Sequence, residues 1–104
     1  MEELWLKYVD QTGFTNYTPW HSSYINHAND LVEPCTELWR RMFVWWDGKV
    51  NPCDVDYKSN LSVGTFPERK LSELWESEEY LKLRQAHIKN QRSQLTPCRS
   101  CTVI

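Results

Sequence analysis

Four cysteines are the residues of this chain best suited to chemistry. Seventeen residues separate Cys35 from Cys53, whereas Cys98 and Cys101 form a C-x2-C pair. Such a pair lets two thiolates bind the same metal ion or iron–sulfur cluster. The intervening backbone is long enough for Cys35 to fold back to Cys53, so we expect all four thiolates to surround one inorganic centre. Because four cysteinates suit zinc and iron–sulfur clusters alike, the spacing leaves this choice open.

Other polar side chains are expected to support this centre rather than to bind it. His87 and Arg84 fall in the apolar sector of a predicted helix, where we expect His87 to be a hydrogen-bonded inner-face residue. Arg84 is expected to donate to a cluster sulfide, to a loop carbonyl or to a loop carboxylate, and such donors tune metal centres. His21 and His27 are interpreted as solvated loop residues. Four further basic residues are predicted to form a solvated surface: Lys82, Lys89, Arg92 and Arg99.

Composition limits the class of protein to which this chain can belong. The chain has 104 residues, of which 40% are hydrophobic and 25% are charged, as is typical of one small globular domain. A net charge of −2 gives no basic surface for nucleic acid. The absence of a long apolar run argues against a membrane span. Because Met1-Glu2-Glu3 does not resemble a signal peptide, we expect a cytoplasmic protein, in which thiols stay reduced.

A β-hairpin is the clearest local structure that the sequence predicts. A run rich in β-formers ends at Trp46 and is followed by Asp47-Gly48. An Asp-Gly pair favours a two-residue type I′ turn, because both central positions of that turn need positive φ. This turn places Trp46 opposite Lys49 and Trp45 opposite Val50, within a hairpin over residues 42–51. Cys53 then follows directly after the second strand.

Helices are predicted on both sides of this hairpin. Residues 1–11 have a helical pattern, residues 14–18 could form a strand, and residues 19–34 read as a loop or linker. Residues 54–69 are interpreted as a second loop. Two short helices follow, one at 71–75 and one that begins after the N-cap Ser77 and runs to about Asn90. The second helix has a predicted apolar side formed by Tyr80, Leu81, Leu83 and Ile88.

The expected fold is therefore a small, loop-rich α+β domain, stapled by a metal or cluster, with a β-hairpin followed by two short helices. Its aromatic content is high, with six Trp and five Tyr. We expect four Trp to pack in a core around the metal centre: Trp39, Trp45, Trp46 and Trp75. We expect aromatic residues of the first segment to form an exposed apolar patch: Trp5, Tyr8, Phe14, Tyr17 and Trp20.

The order of these motifs resembles that of the SPASM domain. The chain contains Cys35-x12-Gly48-x4-Cys53, then Leu71-x2-Leu74-Trp75, Leu83-Arg84 and finally Pro97-Cys98-x2-Cys101. SPASM domains are C-terminal extensions of radical S-adenosylmethionine enzymes and carry auxiliary [4Fe-4S] clusters. The resemblance covers about residues 32–104 and implies that the four cysteines bind one such cluster. Residues 1–31 are similar to the end of the catalytic barrel of these enzymes, or serve as a linker.

Two departures from the family pattern shape the expected function. The C-x3-C-x2-C motif that binds the radical-generating cluster is absent, and only the first part of the C-terminal cysteine pattern is present. We therefore expect an oxidoreductase accessory domain, a fragment or a stand-alone unit, that is not catalytic alone. The resemblance implies a radical core partner in cis or in trans and a peptide or small-metabolite substrate. The alternative is a structural zinc module for protein–protein contact, and a metal-free adaptor is a weaker third reading.

Overall fold

A computed structural model of the chain describes residues 2–16 and 22–104. The described part is an α+β fold, as predicted, in which a small antiparallel sheet is followed by helices. The strands are β1 (Phe43–Val44), β2 (Lys49–Asn51) and β3 (Gly64–Thr65), and the α-helices are α1 (Glu2–Trp5), α2 (Leu71–Trp75) and α3 (Glu78–Ile88). Short 3-10 turns lie at Thr36–Trp39, Arg92–Gln94 and Cys98–Ser100. No helix among the described residues is long and apolar enough to cross a membrane.

The hairpin of β1 and β2 forms as predicted, but with a different register. Val44 pairs with Val50, whereas the sequence predicted Trp45 opposite Val50. The Gly48 N–H donates to the Trp45 carbonyl at 2.9 Å, and the Trp45 N–H donates to the Lys49 carbonyl at 2.8 Å. The loop therefore has three residues, with a turn centred on Trp46-Asp47 and Gly48 at a φ of +91°. This geometry places the positive φ on glycine alone, which costs less than a type I′ turn with positive φ at both positions.

The sequence missed the third strand, which lies within the segment predicted to be a loop at 54–69. β3 pairs with β2 through Lys49 opposite Thr65 and Val50 opposite Gly64. Two residues form this strand, too few for an alternating pattern to stand out. β2 is consequently the central strand, with neighbours on both edges.

The hydrophobic core of the described residues is aliphatic with one tyrosine and contains no buried tryptophan. Leu38, Val50, Val63, Leu74 and Tyr80 are buried together. The prediction of a four-tryptophan core is wrong: Trp75 packs against this core, but Trp39 is exposed and Trp46 has 96% of its surface exposed. The reason is the three-residue loop, which carries the Trp46 side chain at its tip.

Helix α3 begins where the sequence predicts. The Ser77 hydroxyl accepts a hydrogen bond from the Tyr80 N–H, which caps the helix. Its buried residues are Tyr80 and His87, whereas Leu81 and Ile88 are exposed. The predicted apolar side is therefore wrong for Leu81 and Ile88. The buried face of the helix contains the polar His87 instead of these two hydrophobic residues.

The first segment is less regular than predicted. α1 covers four residues rather than the predicted 1–11, and none of its residues is buried, so little packing stabilises a longer helix here. Residues 14–16 of the predicted strand are irregular, and 17–18 lie outside the described residues. The aromatic side chains of Trp5, Tyr8 and Phe14 are exposed, as predicted, while Tyr17 and Trp20 also lie outside the described residues.

We predict that Gly48→Val destabilises the fold by about 1–3 kcal/mol, the cost of a strained left-handed backbone. A Cβ at this position would also collide with the Phe66 carbonyl oxygen. Gly13→Val is the matched control, because nothing lies within 4 Å of a Cβ built there. Urea unfolding measures both free energies, and equal effects of the two substitutions would contradict the turn geometry.

Candidate metal centre

All four cysteines line one cavity of about 60 Å³. Three separate segments deliver them to this place. Cys35 directly precedes the 3-10 turn at Thr36–Trp39, and Cys53 follows β2 after the buried Pro52. Cys98 begins the last 3-10 turn and Cys101 follows it. The four residues are free thiols and each is half-buried. The four cysteines therefore share one cavity, while their binding to one common centre stays a prediction.

Burial in this cavity raises the pKa of the thiols. Desolvation is the main cause, and it raises the pKa of Cys53 to about 11 and of Cys98 to about 12. The pKa of Cys35 is raised for the same reason. The negative charges of neighbouring cysteines add to the shifts of Cys98, Cys53 and Cys35. A metal or cluster would reverse this preference, because its positive charge stabilises thiolates at the same positions.

Backbone N–H groups face three of the four sulfurs. The Val55 N–H donates to Cys53 Sγ at 3.3 Å and the Val103 N–H donates to Cys101 Sγ at 3.5 Å. A backbone hydrogen bond from Glu37 acts on Cys35 and lowers its pKa against the effect of burial. Hydrogen bonds of this kind stabilise thiolates and tune cysteine-ligated centres. The local backbone thus suits the ionised state of these side chains.

The described residues contain no group of three His, Cys, Asp or Glu side chains that could hold a metal ion. Ligation by Cys35, Cys53, Cys98 and Cys101 therefore stays a prediction. The chemistry of the cavity nevertheless fits a metal or iron–sulfur centre that is negatively charged only together with its thiolate ligands, because four sulfur donors line the same cavity as the side chains of His87 and Arg92.

His87 lies at this cavity, as the inner-face residue that the sequence predicted. The imidazole is 1% exposed and lines the cavity. Its Nδ1 accepts a hydrogen bond from the Cys35 N–H at 3.0 Å. Desolvation, and then the charge of Arg92, lower the pKa of His87 to about 4, so the ring is neutral near pH 7. The ring therefore holds the Cys35 backbone in place.

Arg92 is the important residue that the sequence analysis missed. The prediction placed it on a solvated surface, yet it is 1% exposed and lines the cavity. Its Nη1 donates to the carbonyls of Glu33 at 2.8 Å and Val103 at 2.9 Å, and its Nη2 donates to the Cys101 carbonyl at 3.2 Å. These bonds join the segment before Cys35 to the C-x2-C segment. No sequence signal distinguishes Arg92 from a surface arginine, because its acceptors are backbone groups from distant segments.

Arg84 and Arg99 also bond to backbone carbonyls. Arg84 donates to the carbonyls of Leu38 and Trp75, which matches one of the predicted alternatives, and its guanidinium stacks on the rings of Trp75 and Tyr80. Arg84 is not among the residues that line the cavity. Arg99 is half-buried and donates to the Tyr24 carbonyl at 3.0 Å, so the predicted solvated surface is wrong for this residue as well.

The segment predicted to be a loop or linker packs against the C-x2-C turn. The Asn29 side chain donates to the Cys101 carbonyl at 3.0 Å, and the Asn29 N–H donates to the Arg99 carbonyl at 2.8 Å. The Ser100 hydroxyl donates to the Ser23 carbonyl at 2.9 Å. His27 is exposed, as predicted, and His21 lies outside the described residues. Residues 22–29 thus help to hold the last two cysteines in place.

Asp56 organises the loop that follows Cys53. The carboxylate is fully buried and accepts hydrogen bonds from the Tyr24 hydroxyl at 2.6 Å, the Asn60 N–H at 3.0 Å and the Leu61 N–H at 2.7 Å. The Tyr24 hydroxyl in turn accepts from the Lys58 N–H at 2.9 Å. Burial and the hydrogen bond to Asp56 raise the pKa of Tyr24. A single carboxylate therefore joins the 22–29 segment to the loop after β2.

Comparison with known proteins identifies the family to which this chain belongs. Residues 35–102 match the SPASM family, described as an iron–sulfur cluster-binding domain. This match covers more than half of the chain and includes all four cysteines, so the chain belongs to the SPASM family of iron–sulfur cluster-binding domains. Searches among curated proteins and among solved structures found no significant match.

We predict that Asp56→Asn lowers the free energy of unfolding by about 1–3 kcal/mol. The carboxylate of Asp56 accepts three hydrogen bonds. In the Asn variant the NH2 group replaces one of the two accepting oxygens, so that it faces another donor and a hydrogen bond is lost. Asp30→Asn is the control, because the Asp30 side chain is exposed. Equal denaturation midpoints for the two variants would contradict the role of Asp56.

Proposed function

We propose that Cys35, Cys53, Cys98 and Cys101 together bind one [4Fe-4S] cluster in this domain. The observation that carries the proposal is the convergence of four thiols on one cavity within a chain that matches an iron–sulfur cluster-binding family. When bound, a cluster of this type supplies one-electron transfer. Within the chain, the Val55 and Val103 N–H groups donate to the sulfurs of Cys53 and Cys101, and Arg92 lines the same cavity.

We further propose that the domain is an accessory unit of a radical S-adenosylmethionine enzyme in the cytoplasm. Its role would be to relay electrons or to help position a substrate, such as a peptide or a small metabolite, beside a radical core in cis or in trans. The family match supports the cluster-binding part of this proposal, and the resemblance of the cysteine pattern to auxiliary cluster domains motivates the rest. Four free thiols also suit a reducing compartment.

Anaerobic reconstitution of the full chain with iron and sulfide tests the cluster. We expect broad visible absorbance and, as the formula of the cluster requires, about four iron and four sulfide per chain. The alternative is a structural zinc site, since four cysteinates also suit zinc. Binding of one colourless zinc in preference to iron and sulfide would support that alternative and contradict the cluster.

Binding of the metal centre and folding should be linked, because three distant segments supply the four cysteines of one cavity. We predict that Cys98→Ser first loosens the C-terminal segment, which the Arg92 and Asn29 side chains hold through its carbonyls. Cys53→Ser should disrupt the whole domain, since Cys53 lies two residues after the central strand. Structural metal binding contributes on the order of 10–16 kcal/mol in small zinc domains, enough to decide whether such a fold forms.

Amide hydrogen exchange and circular dichroism on the loaded and metal-free proteins measure this link. Thr102→Ser is the control, because it lies beside Cys101 and its side chain is exposed. Equal protection of the metal-free and loaded chains would show that the hydrophobic core suffices without the metal centre.

A further inference from the structure

Two N–H groups at the four-cysteine cavity are buried without an acceptor. His87 Nδ1 accepts from the Cys35 N–H and therefore carries no proton, which places the ring proton on Nε2. Nε2 is buried and has no hydrogen-bond partner among the described residues. Arg92 Nε is also buried and has no hydrogen-bond partner within residues 2–16 and 22–104. Both side chains line the cavity and both are 1% exposed.

Leaving such donors unpaired is costly. A buried donor without an acceptor costs about 1–3 kcal/mol, and more when the group is charged. Arg92 adds a full positive charge, and no carboxylate in the described part of the chain forms an ion pair with it. Its remaining bonds to three carbonyls hold the guanidinium in place. The cavity is therefore built to receive an acceptor that carries negative charge.

His87 and Arg92 differ from the other buried, unpartnered donors in where they lie. Other buried donors without a partner in the described residues are Trp45 Nε1, Arg84 Nη2 and Arg99 Nε. None of these three residues lines the cavity that contains the cysteines. His87 and Arg92 thus combine burial, an unpartnered N–H and a place in the lining of the cavity that the four cysteines share.

We infer that His87 Nε2–H and Arg92 Nε–H donate hydrogen bonds to the sulfur atoms of the centre that the four cysteines bind, and that they raise its reduction potential. This inference rests on the proposed cluster function. Reduction adds negative charge to the sulfurs, so N–H donors and a fixed cation stabilise the reduced state more than the oxidised state. His87 and Arg92 are positioning residues in this role, because they act on the centre without binding iron.

A matched pair of substitutions at His87 separates hydrogen bonding to the centre from structural support. His87→Asn keeps an acceptor near the position of Nδ1, for the Cys35 N–H, but removes the Nε2 donor. His87→Gln reaches the position of Nε2 with an amide N–H but loses the Nδ1 acceptor. We expect the midpoint potential of His87→Asn to move to more negative values, while that of His87→Gln stays closer to wild type. A purely structural role predicts the opposite order.

Two substitutions of Arg92 separate the effect of its positive charge from that of its N–H donors. Arg92→Gln removes the charge and the fork of donors, whereas Arg92→Lys keeps the charge. Lys89→Gln removes one exposed positive charge nearby and serves as the control. We expect the largest negative shift of potential for Arg92→Gln, a smaller one for Arg92→Lys and almost none for Lys89→Gln. A potential of Arg92→Gln equal to that of Lys89→Gln would overturn the role of Arg92, and should the Arg92 variants fail to fold, the pair of His87 variants still decides whether an N–H donor at this cavity sets the potential.

Iron and sulfide content separates failure of this inference from failure of the proposed function. A wild-type chain that does not incorporate iron and sulfide overturns both. If the wild type is loaded, the inference alone is overturned by a His87→Asn potential equal to that of wild type. It is equally overturned if the potential of His87→Gln shifts further than that of His87→Asn. Potentials are compared among variants whose iron and sulfide content matches that of wild type.

Discussion

Bringing four thiols from three chain segments into one small cavity is the constraint on which the rest of this structure depends. Each segment is short and irregular, so the cavity must be held by hydrogen bonds between loops. Burial raises the pKa of Cys35, Cys53 and Cys98, which means that the thiols are neutral unless a positive centre is present. The protein therefore provides partly desolvated thiols that lose their protons when a metal centre binds to them.

Buried polar side chains hold the loops of this small domain together, a role that a larger hydrophobic core has in a bigger domain. Arg92 joins the carbonyls on both sides of the cavity, and Asp56 joins the 22–29 segment to the loop after Cys53. His87 anchors the backbone of Cys35 from helix α3. Arg92 and Asp56 each replace water with several protein partners, which gives irregular loops a single arrangement.

The groups that hold the loops together also lie at the cavity that contains the cysteines. The backbone N–H groups at Cys53 and Cys101 face sulfur atoms, and the side chains of His87 and Arg92 carry further donors beside them. A site with many donors and a buried cation favours a negatively charged occupant. The same groups that hold the loops are therefore placed to influence the properties of a bound centre.

The sequence by itself determined the α+β class, the hairpin, the N-cap at Ser77 and the cysteine pattern of the family, because glycine turns, caps and C-x2-C spacing are local signals. The tertiary structure alone decided the register of the hairpin, the pairing of β3 and the exposure of Trp46. It also decided that Arg92 is buried rather than solvated. The physical reason is that a buried arginine bonded to backbone carbonyls depends on acceptors from Glu33, Cys101 and Val103, which come together only when the chain folds.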